Sequence, residues 1–195
     1  MPKPCSILLV VLCAGLSGGF ARAGTVALDF EGFADDTALT NQYSGFLFTN
    51  TRIWTAGLSL NELEFPPHSG VNAAIGASAP ITISFSAPVL SFSGFFTYSS
   101  ALTLSAFDSL NQGVGTANST FGANFVSTGN PANELLQVSF SGGISRVSIA
   151  GGSSGSSFAL DDVTVTTPVS ASVPEPSSGW IVLSGFVLAC ILGRR

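Results

Sequence analysis

Short runs in which apolar and polar residues alternate fill the middle of the chain, and Gly, Asn, Ser and Pro separate them. Between the two ends, no segment repeats its apolar residues with the period of about 3.6 that marks an amphipathic helix. Alternation with period two is typical of strands with one buried face. The predicted strands cover residues 25–31, 45–48, 81–85, 89–98, 102–107, 121–126, 135–141, 144–150 and 158–166.

One predicted hairpin stands out locally. Gly142 and Gly143 lie between two alternating runs, and glycine readily adopts the positive φ of a tight turn. Turn signals are frequent, and no helix is available to cover a parallel sheet. We therefore predict an all-β domain over residues 24–166, an antiparallel two-sheet β-sandwich of the jelly-roll type.

The N-terminal end has the three parts of a secretory signal. Lys3 provides the basic region, residues 7–16 the apolar region, and Ala21 and Ala23 an A-x-A cleavage site before Gly24. We predict a signal helix over residues 1–23 that signal peptidase removes. The alternative, an uncleaved anchor, is disfavoured because the apolar run is shorter than the ~20 residues that a membrane span needs.

The C-terminal end combines a proline-flanked acid, an apolar run and a basic terminus. We predict that residues 167–176, which contain Pro174, Glu175 and Pro176, are an extended linker and that residues 177–195 are a transmembrane helix that ends in Arg194 and Arg195. From Ser177 to Gly193 that helix would extend about 25 Å, a little less than the ~30 Å hydrocarbon core.

These C-terminal features resemble a PEP-CTERM sorting signal. The resemblance implies an exosortase-type membrane protease that cleaves at or next to Pro174, Glu175 and Pro176. It also implies an inner-membrane intermediate, followed by location at the cell surface, in the outer envelope or in the extracellular matrix. A permanent single-span anchor is the alternative. The resemblance covers about the last 22 residues and carries no information on the activity of the domain.

Composition narrows the classes of partner. Of the 195 residues, 46% are hydrophobic and 9% charged, with a net charge of -5. Between the two ends, Arg52 and Arg146 are the only basic side chains besides His68, against ten acids, so nucleic acid binding is excluded by repulsion of phosphate. The three cysteines lie at the two ends, so the domain must fold without disulfides.

The first and last predicted strands contain the most informative acids. Asp29 and Glu31 project from the same face of the first strand, opposite its apolar residues. In the last strand the alternation slips by one at Asp161 and Asp162, which predicts a β-bulge.

These two segments, 28–32 and 159–163, resemble the edges of MAM domains and of jelly-roll carbohydrate-binding modules. The resemblance implies that the terminal strands lie side by side and that the acids hold a structural Ca²⁺. Glu31 and Asp161 are then the better ligands, with Asp29 and Asp162 as helpers. Unlike MAM domains, this domain has no cysteine, and its middle does not match. The alternative is that the acids are solvated edge residues.

Little other catalytic chemistry is present. His68, the only histidine, lies in a predicted turn with no nucleophile-elbow sequence, so we expect an exposed loop histidine and neither a Ser-His-Asp hydrolase nor a zinc site. Glu62 and Glu64 are expected to share a strand face, and Asp35 and Asp36 to lie in a loop, which leaves a glycosidase pair of carboxylates as the enzymatic alternative.

Aromatic side chains are the candidate ligand contacts. Trp54, Tyr43 and Tyr98 are suited to stacking on a sugar ring, although with sixteen Phe in the chain a core role is the alternative. The leading interpretation is an exported, non-enzymatic surface or matrix protein that contacts extracellular polysaccharide or other envelope components. A secreted carbohydrate-active hydrolase and a purely structural surface module are the alternatives.

Overall fold

The computed structural model describes residues 23–76, 79–152 and 157–168. This described part contains no helix with the length and hydrophobicity of a membrane span. Ala21, the rest of the signal segment before Ala23, the sorting residues Pro174, Glu175, Pro176, Arg194 and Arg195, and the predicted helix over residues 177–195 lie outside the described residues.

Strands dominate the described part of the chain, and they pair antiparallel throughout, as predicted. The only helical segment among the described residues is a 3₁₀ turn at Val126–Thr128. In chain order the strands are β1 Gly24–Leu28, β2 Thr37–Leu39, β3 Phe46–Thr49, β4 Thr51–Thr55, β5 Asn72–Gly76, β6 Ile81–Tyr98, β7 Leu102–Phe107, β8 Gly113–Asn118, β9 Glu134–Gly151 and β10 Phe158–Thr167.

All ten strands belong to one continuous sheet in the order β2-β4-β5-β10-β6-β9-β7-β8, with β1 on β10 and β3 on β6. The first half of β6 pairs with β3 and β9, whereas the second half pairs with β10 and β9. The main core joins side chains from both halves, among them Ile83 and Phe92. This arrangement is consistent with the predicted β-sandwich, in which the two longest strands run from one layer into the other.

The predicted hairpin at Gly142 and Gly143 is wrong, because β9 continues through both residues. Gly143 has a φ of +95° and lies against Pro88 of β6, so close that a Cβ at position 143 would be 2.8 Å from the Pro88 Cβ. The pairing register of β6 and β9 shifts around Val89. The two glycines therefore lie where the pairing of β6 and β9 is irregular, and the chain does not reverse direction there.

Other strand predictions were mixed. Residues 121–125 are bends and irregular backbone and Val126 begins the 3₁₀ turn, so no strand forms there, and β2, β4, β5 and β8 were missed. β2 has only three residues, and β5 and β8 are rich in Ala, Gly and Asn, which have low intrinsic strand preference, so tertiary pairing determines their conformation. β4, with the sequence TRIWT, has strong strand formers and was overlooked.

The terminal strands lie side by side, as the resemblance implied. β1 pairs antiparallel with the C-terminal half of β10, from Gly24 opposite Thr167 to Leu28 opposite Val163. The N-terminal half of β10 pairs instead with β5. The predicted β-bulge separates the two halves, where the register shifts after Asp161 and Asp162 adopts a φ of +46°.

Phenylalanine and aliphatic side chains build the core. Phe30, Phe48, Phe92 and Phe96 are among its largest fully buried residues. A second, smaller apolar cluster contains Leu60, Ala73 and Ala159, with Trp54, Phe65 and Ile75 packed against it. Trp54 follows the core residue Ile53 in β4, so this second cluster lies on the opposite face of the strand.

Candidate functional site

The bulge in β10 creates a junction at which three parts of the chain meet. On one edge of β10, β5 pairs with Ala159 and Leu160, and β1 pairs with the residues from Val163 onward. Asp161 and Asp162 occupy the interval between these two partners. The segment that precedes β5 contacts both aspartates, and the segment that follows β1 contacts the residues that enter β5. We call this set of residues the carboxylate junction: Asp29, Glu31, His68, Ser69, Asn72, Asp161 and Asp162.

Asp161 is the most deeply buried acid of the junction, at 2% exposure. One carboxylate oxygen accepts a hydrogen bond from the Ser69 N–H at 2.8 Å, and the other accepts one from the Asp162 N–H at 2.7 Å. Burial raises the pKa of Asp161 to about 6, although these amide donors act in the opposite direction. The Asp161 side chain therefore holds the loop at Ser69 by a hydrogen bond, although burial of a carboxylate is unfavourable.

Asp162 holds the same loop through side chains. Its Oδ2 lies 2.6 Å from Nδ1 of His68, and its Oδ1 accepts a hydrogen bond from the Ser69 hydroxyl at 2.9 Å. The His68 ring stacks face to face on Phe95, with centroids 3.5 Å apart and planes 6° apart. His68 lies in a loop as predicted, and its side chain is 37% exposed. Asp162 nevertheless contacts the edge of its ring and Phe95 packs on one face.

Glu31 and Asn72 complete the junction. One oxygen of Glu31 accepts hydrogen bonds from the N–H groups of Val71 at 3.0 Å and Asn72 at 2.8 Å. Gly70 packs against the same carboxylate with a φ of +54°, and a Cβ there would overlap it. Asp29 accepts a hydrogen bond from the Glu31 N–H at 3.2 Å, which forms a local turn.

Asn72 is a site residue that sequence reasoning missed. Its buried side chain donates to the carbonyls of Phe30 at 3.1 Å and Phe33 at 3.2 Å, and it accepts from the Thr55 hydroxyl at 2.6 Å. In the sequence of this segment, only Gly70 indicated that another part of the chain packs closely against the backbone.

The four predicted calcium ligands fall at one place in the fold, where Asp29, Glu31 and Asp161 accept hydrogen bonds from backbone N–H groups and Asp162 contacts the side chains of His68 and Ser69. Among the described residues there is no group of three or more His, Cys, Asp or Glu side chains placed to hold a metal ion. Amide N–H groups already contact both oxygens of Asp161 and one oxygen of Glu31. Ca²⁺ binding by these acids stays a prediction.

Glu62 and Glu64 do not share a strand face, because residues 57–59 and 62–64 form turns. Glu62 accepts from the Gly57 N–H at 2.9 Å, and Glu64 accepts from the N–H and hydroxyl of Ser127. These hydrogen bonds lower the pKa of both carboxyls. A glycosidase needs one carboxyl with a raised pKa as its general acid, and neither glutamate has this property.

The three aromatic side chains predicted to stack on a sugar ring lie in different environments. Tyr98 is fully buried and its hydroxyl binds Glu134, so its ring cannot reach a ligand and this prediction is wrong. Tyr43 packs edge to face against Phe30 and Phe33, and its hydroxyl accepts from the Phe30 N–H. A sugar-stacking role for Tyr43 stays a prediction.

Trp54 lines a cavity of about 280 Å³ on the outer face of β4, β5 and β10. In register, Ala73 lies opposite Trp54 and Ala159 lies opposite Ile75, so small side chains border the indole. The other described lining residues come from the segment after β4 and from the ends of β5 and β10: Ser59, Leu60, Asn61, Phe65, Gly76, Ser157 and Phe158.

No family model and no curated protein matches the chain. Three solved structures are distantly similar. A cleaved adhesin domain of Lys-gingipain has 11% identity and a TM-score of 0.48, over 74% of this chain and 100% of that one. Another, from Porphyromonas gingivalis, has 11% identity and a TM-score of 0.47, over 74% and 98%. A DUF4465 family protein from Bacteroides caccae has 11% identity and a TM-score of 0.45, over 73% and 98%.

Proposed function

We propose that the chain is an exported, non-enzymatic surface or extracellular-matrix protein whose jelly-roll-type β-sandwich contacts polysaccharide or other envelope components. One observation carries the non-enzymatic part. The carboxyls of Glu62, Glu64 and Asp35, which were considered for a glycosidase pair, accept hydrogen bonds within the protein that lower their pKa, whereas a general acid needs a raised pKa.

The export part of the proposal rests on the sequence of the two ends. Signal peptidase would cut before Gly24, and an exosortase-type protease would act near Pro174, Glu175 and Pro176 while the C-terminal helix holds the chain in the membrane. The described domain suits an oxidising or reducing compartment equally, because it has no cysteine.

Mass spectrometry of the protein from cells with an exosortase tests the proposed processing and localisation. The expected product begins at Gly24 and has lost Arg194 and Arg195. A variant with Glu175→Ala, changed only in the triplet, is expected to retain its tail in the membrane fraction. Full-length protein recovered from the cytosol with Met1 and Arg195 intact would contradict the proposal.

Binding and turnover are measured together on extracellular polysaccharide. Co-sedimentation of the protein with the polymer, without release of reducing ends, is the expected result. Release of reducing ends that disappears in Glu62→Gln or Glu64→Gln would instead establish the hydrolase alternative. Neither sedimentation nor turnover would favour a purely structural module.

A further inference from the structure

The cavity beside Trp54 has the dimensions of a site for a single small ring. Its volume of about 280 Å³ is close to the lower end of the ~300–1,000 Å³ that is usual for small-molecule sites. The floor is apolar, formed by Leu60, Ile75 and Phe158 beside the indole. Such a floor suits the apolar face of a sugar ring, whose C–H groups pack on an aromatic surface.

The polar groups of the cavity belong to residues that can exchange hydrogen bonds with hydroxyls. The Ser59 hydroxyl donates to Asp35 at 2.7 Å, so its lone pairs can accept a hydrogen bond from a ligand. The Asn61 carbonyl oxygen of the backbone closes a turn with the N–H groups of Glu64 and Phe65. The side-chain amide of Asn61 is both a donor and an acceptor, so it can pair with a sugar hydroxyl in either role.

Two carboxylates lie beside residues of the cavity lining, because Asp35 accepts a hydrogen bond from Ser59 and Glu62 follows Asn61 in the chain. Asp35 accepts hydrogen bonds from Ser59 and from the Thr55 N–H, and these lower its pKa, as the Gly57 N–H lowers the pKa of Glu62. The nearby cation, Arg52, is paired with Asp36 at 2.7 Å. A ligand with its own carboxylate or phosphate would meet uncompensated like charge in this region.

We infer that the cavity beside Trp54 is a binding subsite for one uncharged sugar ring of an extracellular polysaccharide, and that it rejects uronic acid and phosphorylated units. This inference rests on the proposed function and names the class of ligand. Trp54 supplies the surface on which the ring stacks, and Ser59 and Asn61 supply hydrogen bonds to its hydroxyls. The negative charges of Asp35 and Glu62 disfavour charged sugars relative to neutral ones.

Fluorescence of Trp54 tests the inference in the full chain. Trp180 is the only other tryptophan, so a Trp180→Phe background leaves one reporter. The probes are cellotetraose and triacetylchitotriose as neutral oligosaccharides and tetragalacturonate as the charged one. We expect saturable spectral changes with at least one neutral probe, at a concentration about ten-fold below that needed for tetragalacturonate.

Calorimetry on variants identifies the site. Trp54→Ala is expected to weaken neutral-probe binding about ten-fold, and Trp54→Phe less. Asn61→Ala retains the backbone turn, so its loss of binding would not come from misfolding. Leu110→Ala is the control, because Leu110 is 77% exposed and does not line the cavity. Equal melting temperatures establish that each variant is folded.

Three results overturn the inference: no neutral probe changes the fluorescence, tetragalacturonate binds as tightly as the neutral probes, or binding survives both Trp54→Ala and Asn61→Ala. If polysaccharide still sediments the protein in these cases, the proposed function stands and the subsite lies elsewhere. If wild-type protein does not sediment with polysaccharide at all, the proposed function itself fails.

Discussion

The buried carboxylate of Asp161 accepts a hydrogen bond at 2.8 Å from the backbone N–H of Ser69, 92 positions earlier in the chain. This contact ties the bulge of the last strand to the segment that enters β5. Glu31 adds a second tie from the segment after β1 to the N–H groups of Val71 and Asn72. Acids from both ends of the domain therefore fix one loop.

Stability should fall as the pH rises through the pKa of Asp161. Burial raises this pKa from 3.8 to about 6, so the folded protein binds the proton more tightly than the unfolded chain. The stabilising contribution is complete below pH 3.8 and is lost as the pH rises through 6. We expect the free energy of unfolding to drop by about 1 kcal/mol between pH 5 and 7.5, after allowance for solvent screening.

Denaturant unfolding of wild type and Asp161→Asn over this pH range checks the prediction. The variant cannot ionise at position 161 but retains His68 and Asp162, so the difference between the two pH profiles isolates Asp161. Asp35, Glu62 and Glu64 have lowered pKa values, and their contributions are lost only in more acidic solution. Parallel profiles for wild type and variant would refute the assignment.

Asn72→Ala should destabilise the fold by about 2–4 kcal/mol, because it leaves the carbonyls of Phe30 and Phe33 without their donor inside the protein. Asn41→Ala, at an exposed position, is the matched control and should change stability by less than about 0.5 kcal/mol. Chemical denaturation measures both. Similar values for the two variants would mean that the buried amide does not hold the junction together.

Gly143→Ala should cost more than Gly129→Ala. Both glycines have positive φ, +95° and +74°, so both substitutions strain the backbone by about 1 kcal/mol. Only at position 143 would the new Cβ also meet a neighbour, Pro88, at 2.8 Å. We expect about 1–3 kcal/mol more destabilisation there, measured by thermal or denaturant melts. Equal losses would mean that β6 moves away freely.

Calcium dependence is tested by titration calorimetry and by melting with Ca²⁺ or chelator. The resemblance to calcium-binding jelly rolls predicts that Ca²⁺ raises the melting temperature and that Glu31→Gln weakens the effect. Glu134→Gln, an acid outside the carboxylate junction, is the control. An absence of heat on titration, with an unchanged melting temperature in chelator, would leave the backbone amides as the partners of these acids.

Sequence reasoning located the strands whose side chains alternate strongly and failed where pairing decides the conformation. β7 was predicted with its observed bounds, Leu102–Phe107, because its apolar residues alternate without interruption. β5, with the sequence NAAIG, has almost no such signal, and its pairing with β4 and β10 makes it a strand. The two halves of β9 read as a hairpin because local glycine preferences favour a turn.

The same division holds for the site. The slip in alternation at Asp161 and Asp162 was sufficient to predict the bulge, since a strand must absorb an extra residue. Nothing local in the sequence indicated that Ser69 and Asn72 would contact these segments. Tyr98 was judged accessible by its residue type, and only packing placed it inside the core.

By itself, the sequence determined the strand-rich character of the domain and the bulge, because both follow from side-chain alternation along a short segment. It also indicated antiparallel pairing, because turn signals are frequent and no helix is available to cover a parallel sheet. The tertiary structure decided that β6 and β9 run through both halves of the sheet, that the acids bind loop amides, and that Trp54 borders a cavity. These features depend on residues far apart in the chain, whose approach is set by the packing of the whole core.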